Sequence, residues 1–586
     1  MIVNLIRLFA GPRRTWRTIM DATLWLAALG LGGLAGCGNP YTQQPGFEPR
    51  VSEASSDPHV TSPVLLPPSN EEASAPVAAP TPTRLITDAV SPATVDKRKP
   101  GPVQVGVNLG GIRDYSSELV FVDAFKASRK WISQEKGKPW GQGGPLDLDE
   151  HGEVKSLRPN QYAETVIVTD FEPHLPVGDY LILHEGKGKL RLNGPARIVG
   201  GENGRLRVRI DQSKGGIFLA IMETDSSDPL RKIRFIPAEA ETTYESQPFR
   251  QPFLDRWRDF AVLRFMDWME TNNSKIARWE DRPKPSDARQ SLHGVALEYQ
   301  IALCNTLDVA PWFCMPHRAD DEYVRQFALQ VKRELKPGKP IWVEYSNECW
   351  NNQFEQSRYC RDRGKELKLS DNDFQAQLRF VSQRSVEIFR IWREVFGSEA
   401  DRVVRVLPAQ SANPWTGLQV MDWNDAFKEA DAIAIAPYFG NEWGSPKRVE
   451  ETLKLEVTQL LDALQDSVAN SLGKVREYAA MARERGLELV AYEAGQHLAG
   501  HGGAENNEAL TALFHAANRH PRMKTLYETY LDGWADAGGG LIVMFSSMGK
   551  PSKWGSWGML EHEGQSLDEA PKFSAVRAFL RRHPSR

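Results

Sequence analysis

Two short stretches carry residue types that could act together. The first is Pro340-Ile341-Trp342-Val343-Glu344-Tyr345-Ser346-Asn347-Glu348-Cys349-Trp350-Asn351, an apolar strand pattern that runs into Asn347-Glu348 and then a polar, aromatic loop. The second is Leu489-Val490-Ala491-Tyr492-Glu493-Ala494-Gly495, where another apolar run ends at a glutamate. Two facing carboxylates can divide acid and nucleophilic work. One keeps its proton and gives it to a leaving oxygen, while the other is ionised and attacks carbon. Cleavage of a glycosidic bond uses such a pair, and at about 5–5.5 Å apart it passes through a covalent intermediate with retained stereochemistry. Proximity helps to split the two pKa values, because neighbouring negative charges disfavour double ionisation. A single glutamate ending a strand is more often solvated or salt-bridged. The signal here is the match of two such positions, with Asn347 preceding Glu348.

A third glutamate, Glu344, lies four residues before Glu348. Alternation with period two places both on one side of a strand, about 13 Å apart at 3.3 Å per residue. If Glu348 faces a barrel mouth, Glu344 faces the interior and needs a partner. Arg405, in the next apolar run, is the expected partner in a structural ion pair.

Eight runs rich in Val, Ile and Leu can supply the strands: 105–109, 261–266, 309–315, 341–346, 403–407, 432–437, 487–492 and 541–545. Their near-continuous apolar character suits strands buried on both faces. Amphipathic patterns at 375–396, 451–485 and 506–520 have apolar residues at three- and four-residue spacing. The expectation is an α/β fold, a (β/α)8 TIM barrel, with Glu348 and Glu493 ending strands four and seven at its C-terminal rim. One interval breaks the rhythm. Residues 150–240 hold short apolar runs separated by turns such as Val177-Gly178-Asp179 and Glu202-Asn203-Gly204. This reads as a β-sandwich-like domain inserted between barrel strands 1 and 2, leaving 101–149 and 241–586 as the barrel. Gly186-Lys187-Gly188 lacks the full glycine pattern and the following helix of a phosphate loop.

With these residues in place the chain resembles the clan A glycoside hydrolases over roughly 103–586, less the insertion. The resemblance implies retaining hydrolysis of a β-linked poly- or oligosaccharide, with Glu348 as acid/base and Glu493 as nucleophile. By it Asn347 binds the hydroxyl beside the reacting carbon and Arg264 supports the nucleophile. His317 matches a histidine often found after strand three, and Tyr438 a tyrosine that bonds the nucleophile. A tryptophan often ends strand eight in that clan. Here that strand ends Met544-Phe545-Ser546, with Trp554 and Trp557 following. Trp268, Trp350, Trp443, Trp554 and Trp557 all fall near expected strand ends, where some should stack on sugar rings. No cofactor is implied, and no HExxH or comparable metal motif is present.

The first 36 residues read as an export signal. Arg7, Arg13, Arg14 and Arg17 precede an apolar run at 22–35, too short for a spanning helix of about 20 residues. Leu34-Ala35-Gly36-Cys37 resembles the bacterial lipobox, which implies a lipidated Cys37 as the mature N-terminus; Gly38 favours the outer membrane of the cell envelope. Residues 37–100 read as a tether, with 12 of the 38 prolines and too few apolar residues to offset chain entropy. The remaining cysteines, Cys304, Cys314, Cys349 and Cys360, match no zinc spacing and suit free thiols or disulfides equally.

Composition bounds the rest. The 586 residues are 41% hydrophobic and 25% charged, enough to bury a large core. A net charge of −4 gives no basic footprint for nucleic acid. The partners expected are a glycan and, through lipid, a membrane, with the protein monomeric. The competing expectation is a non-catalytic carbohydrate-binding or scaffold lipoprotein on the same fold.

Overall fold

The computed structural model describes residues 102–584 except 170–174, 203 and 213–214. The export signal, Cys37 and the tether lie outside the described residues. Eight parallel strands close into a barrel in chain order: β1 (Val105–Asn108), β2 (Val262–Arg264), β3 (Ala310–Met315), β4 (Ile341–Tyr345), β5 (Val403–Pro408), β6 (Ala432–Ile435), β7 (Glu488–Ala491) and β8 (Ile542–Met544), with β8 pairing back to β1. Helices between strands cover the outside, among them Leu297–Leu307, Asp321–Glu334, Asp373–Phe396 and Val457–Arg485. Burial on both faces explains why the strands read as continuous apolar runs. Alternate residues serve two layers. Val262, Trp312, Trp342, Val406, Val490 and Val543 fill the interior. Leu263, Phe313, Val343, Leu407, Leu489 and Ile542 pack toward the helices. Trp312 and Trp342 are register partners, and their rings stack at 5.2 Å.

Local signals set the helix ends. The Asp320 carboxylate accepts from the Tyr323 amide at 2.7 Å and starts Asp321–Glu334. The Asn372 side chain caps Asp373–Phe396 through the Gln375 amide at 2.9 Å. The long helix Val457–Arg485 stops at Gly486, whose φ of 65° suits a residue without Cβ. Among the described residues no helix is long and apolar enough to cross a membrane.

Between β1 and β2 the chain builds two four-stranded antiparallel sheets. One orders Ile132–Glu135, Gln161–Val168, Ile217–Thr224 and Gly188–Asn193. The other orders Arg231–Pro237, Gly178–Glu185, Arg205–Ile210 and Ala196–Glu202. They share a core that includes Ile167, Ile182, Val208, Leu219, Ile233 and Phe235. The sheets begin at Ile132, ahead of the expected boundary at 150. The reason is that Ile132–Glu135 pairs with Gln161–Val168, and its polar Ser133, Gln134 and Glu135 give no apolar run to read. The loop after β2 grips the root of this insertion. Arg289 donates to the Arg129 carbonyl at 2.8 Å and lies over the rings of Phe125 and Trp131 at 4.8 and 4.7 Å. Ser291 donates to the Ser128 carbonyl at 2.6 Å.

The expected Glu344–Arg405 pair does not form. Arg405 is register partner to Val343, and Glu344 to Val406. One position of offset puts the arginine on the helix-facing side and the glutamate in the interior. Arg405 instead clamps Asp431, just before β6, with Nε and Nη2 at 2.8 and 2.9 Å, and its own amide donates to the same carboxylate at 2.9 Å. Glu344 takes Arg264 as its partner. All four cysteines in the described residues are buried free thiols.

Asp431→Asn should lower stability by about 3 kcal/mol, because it removes both charge-assisted hydrogen bonds of the buried Arg405 guanidinium and leaves only the more distant Glu429 carboxylate at 4.0 Å. The check is a fall in the denaturant midpoint. Asp431→Asn combined with Arg405→Met should recover most of the loss.

Candidate active site

Arg264 is fully buried at the end of β2 and organises the barrel mouth. Its Nη2 donates to Glu344 Oε2 at 2.8 Å and to Asn347 Oδ1 at 2.9 Å. Its Nη1 donates to Asn108 Oδ1 at 2.9 Å and to Glu493 Oε1 at 3.2 Å, while Nε reaches Glu344 Oε2 at 3.2 Å. The ends of β1, β2, β4 and β7 therefore meet on one guanidinium. Trp312 adds a donor to Glu344 Oε2 at 2.8 Å. Asn108 passes its own amide to the Tyr492 carbonyl at 2.9 Å, which ties β1 to β7 across the interior.

Glu493 lies two residues past the end of β7, with no solvent exposure. Its second oxygen accepts from the Tyr438 hydroxyl at 3.0 Å. Gly495 lets the chain turn away behind it. Its φ is 138°, and a Cβ there would meet the Tyr527 hydroxyl at 2.9 Å. Glu348 reaches the mouth differently. The strand ends at Tyr345, then Ser346 and Glu348 adopt φ of 58° and 42°. Left-handed backbone at non-glycine residues costs free energy and persists where surroundings over-determine it. Here Gln356 donates to the Asn347 carbonyl at 2.9 Å, and the Asn347 amide is held by Asn272 at 3.1 Å. The Glu348 carboxyl has one hydrogen-bond partner among the described residues, the Asn351 amide at 3.0 Å.

The two carboxyls thus have unequal surroundings. Burial raises both. Glu493 is pushed up to about 7, restrained by Arg264 and the Tyr438 hydroxyl. Glu348 is raised well above the usual carboxylate range by burial and by the charge of Glu493, eased by the Asn351 amide and by the charge of Arg264, which does not hydrogen-bond it. Glu493 therefore loses its proton first and Glu348 holds one. Asp267, buried behind β2, is also pushed up to about 7, by burial and then by Glu270 and Glu493.

A cleft of about 830 Å³ opens at Glu348, bordered by Trp350, Tyr438, Trp443 and His497. Of the residues named from sequence, the structure brings together Asn347, Glu348, Glu493, Arg264 and Tyr438, and it sets Trp350 and Trp443 on the cleft wall. Trp557 packs edge-on against Tyr438 at 5.8 Å and so borders the site from the loop after β8. Trp554 offers Trp557 its carbonyl at 2.9 Å and does not line the cleft. Trp268 is a core residue stacked on Phe121 and Phe253. His317 is buried away from the cleft, edge-on to Tyr359 at 5.3 Å, with its carbonyl bonded by the Tyr345 hydroxyl at 3.0 Å. Burial lowers its pKa to about 4. The reading from sequence missed Asn108, Asn272, Asn351, Asp267 and His497. Asn108 carried a signal, since it is the one polar residue within the first apolar run, 105–109.

No family model and no curated protein matches the chain. Among solved structures, similarity is found to a broad specificity endoglucanase of glycoside hydrolase family 5, subfamily 4, from Clostridium acetobutylicum, at 10% identity over 56% of this chain and 89% of that one, with a TM-score of 0.32. It extends to an exo-β-1,4-mannosidase from an Opitutaceae bacterium, strain TAV5, at 15% identity over 59% and 58%, TM-score 0.34. A family 5 mannosidase from Rhizomucor miehei has 9% identity over 56% and 86%, TM-score 0.31. Likeness at this level carries no functional argument.

Tyr438→Phe removes a donor to the ionised form of Glu493, so the titration of that carboxyl should move upward from about 7. Carboxyl carbon NMR of glutamate-labelled protein reads the shift directly, with Glu493→Gln identifying the signal.

Proposed function

We propose that the chain is a retaining glycoside hydrolase acting on a β-linked poly- or oligosaccharide. The observation that carries this reading is the asymmetry of the two buried carboxyls. Glu493 accepts from a guanidinium and a phenol, and Glu348 from a neutral amide alone. One is prepared to be an anion and the other an acid, the division that glycosidic cleavage requires. In the proposed reaction Glu493 attacks the anomeric carbon while Glu348 protonates the leaving oxygen. A covalent glycosyl ester forms, and Arg264 and Tyr438 stabilise the carboxylate before and after that step. Glu348, now ionised, takes a proton from water as the water displaces Glu493. In this reading Asn347, fixed between Arg264 and Asn272, would bond the sugar hydroxyl beside the reacting carbon, the role that the resemblance to clan A gives it. The cleft is of a size that ordinarily holds a small ligand or part of a chain.

Glu348→Gln should cut hydrolysis by about 10²- to 10⁴-fold, and Glu493→Gln at least as much, with the fold retained. Azide should partly restore Glu493→Ala by acting as an external nucleophile and give a glycosyl azide. Incubation of residues 101–586 with a polysaccharide array, reading released reducing ends, checks both. Wild-type rates in either Gln variant would exclude the assignment. The pH profile should be a bell. Its acid side falls as Glu493 takes up its proton near pH 7, and its alkaline side falls as Glu348 loses its own.

The proposal extends to location. Cys37 would carry lipid and anchor the enzyme to the cell envelope through the tether at 37–100. Mass spectrometry of the mature N-terminus should find a lipidated Cys37, and Cys37→Ser should release the protein from membranes.

A further inference from the structure

The cleft continues past Glu348, between the loops after β5, β6 and β7 and the helix Val457–Arg485. Much of that wall is closed upon itself. Trp443 Nε1 donates to Ser467 Oγ at 3.2 Å, Ser467 donates to Glu442, and Ser471 donates to the Pro437 carbonyl at 2.8 Å. Besides Trp350, after β4, whose Nε1 is also unpaired, three cleft-lining side chains from the loops after β6 and β7 break this pattern. Both ring nitrogens of His497, Nε2 of His501 and Oδ1 of Asn441 are buried without a hydrogen-bond partner. Buried polar atoms in folded proteins are almost always paired, and an unpaired one is costly. Several on one cavity wall point to a ligand that pairs them.

His497 is the most constrained. It is 5% exposed, lies edge-on to Trp557 at 4.8 Å and to Tyr438 at 5.7 Å, and its amide donates to the Phe439 carbonyl at 2.7 Å. Its neighbour Tyr438 is the residue that bonds Glu493. Burial lowers the imidazole pKa to about 4, so near neutrality the ring is uncharged and offers one N–H and one lone pair. That combination suits a hydroxyl, which both accepts and donates. The cations on the wall are already engaged. Arg448 is paired to Glu451 at 2.7 and 3.0 Å and lies over the Trp443 ring at 3.7 Å, and Lys474 is paired to Glu477 at 3.1 Å. Of the acids, Glu442 receives the Ser467 hydroxyl and Asp466 is solvent-exposed. Among the described residues that line the wall, each cation has an acidic partner.

We propose that His497, with Asn441 and His501, forms a specificity-determining subsite that hydrogen-bonds the hydroxyls of an uncharged sugar unit adjoining the bond to be cut. This deepens the glycosidase reading and rests on it for the position relative to the cleaved bond. Binding is measured without turnover by calorimetry on the full-length Glu493→Gln protein, using cellotriose, β-1,4-mannotriose and a glucuronate-containing β-linked trisaccharide. At least one neutral trisaccharide should bind, and adding His497→Leu should weaken it about tenfold or more, the effect of losing one to two hydrogen bonds. Kinetics on the same sugar, with His497→Leu in otherwise wild-type protein, should show the loss mainly in KM.

Unchanged affinity in His497→Leu, binding of the charged trisaccharide alone, or no binding of either neutral one overturns the subsite. A neutral sugar that binds through His497 and is not cleaved by wild type leaves the subsite standing and refutes the hydrolase reading. Cleavage that is indifferent to His497→Leu does the reverse. If His497→Leu does not fold, Asn441→Ala is held to the same tenfold threshold.

Discussion

A guanidinium with no access to water, shared among two glutamates and two asparagines, holds the mouth of this barrel together. Arg264 cannot shed its proton, so its burial is tolerable only if the charge is met within the fold. Glu344 and Glu493 meet it, and Asn108 and Asn347 take donors that the carboxylates leave free. Four strand ends are fixed by that requirement. The planar fork of the side chain also sets directions, so Glu493 is presented with one oxygen on Arg264 and the other on Tyr438. Glu344 sits beneath as a fixed counter-ion, with Arg264 and Trp312 both donating to its Oε2.

The same arrangement has a cost that depends on pH. Glu348, Glu493 and Asp267 all have their folded pKa values raised above the ordinary carboxylate range, Glu493 and Asp267 to about 7. Groups raised on folding support the fold most below their unfolded values, near pH 4, and that support is lost as pH rises through about 7. At neutral pH the molecule therefore carries a charge burden at the mouth that its large apolar core offsets. Polar burial of this kind is concentrated where the proposed chemistry needs it, and the positive φ at Ser346 and Glu348 falls in the same place.

The loops divide the work around this centre. The cleft is walled by the segments after β4, β5, β6 and β7 and by the helix Val457–Arg485. The segment after β1 carries the insertion, and the segment after β2 serves both sides, with Asn272 holding Asn347 at the site. Arg289 and Ser291, from the loop after β2, bond the backbone of Arg129 and Ser128 at its root. Asp123, at the start of the insertion, accepts from the amides of Phe125 and Phe235 at 3.1 and 2.9 Å and so pins its first and last segments together. The sandwich is in this way part of the scaffold on the rim, with its own core distinct from that of the barrel.

The sequence by itself determined the parts whose cause is local. Eight strands read correctly because burial on both faces leaves apolar runs, and Glu348 and Glu493 were visible because a charged residue ends such a run. Arg264 and Tyr438 were legible only through resemblance, since nothing within a few residues of either marks its role. Tertiary structure decided what depends on register and on distant neighbours. A pairing offset of one residue sent Arg405 outward to Asp431 and left Glu344 to Arg264, a choice that strand patterns cannot express. The left-handed turn at Ser346 ends the alternation that strand geometry alone would carry from Glu344 to Glu348. His317 matched a motif, yet it lies off the cleft with its ring against Tyr359, Nε2 accepting from Arg318 at 3.3 Å and Nδ1 unpaired, whereas His497 matched none and lines the cleft with both nitrogens unpaired. Whether a histidine is spent on packing or left free for a ligand is fixed by which groups surround it in space, and the order of residues along the chain does not contain that information.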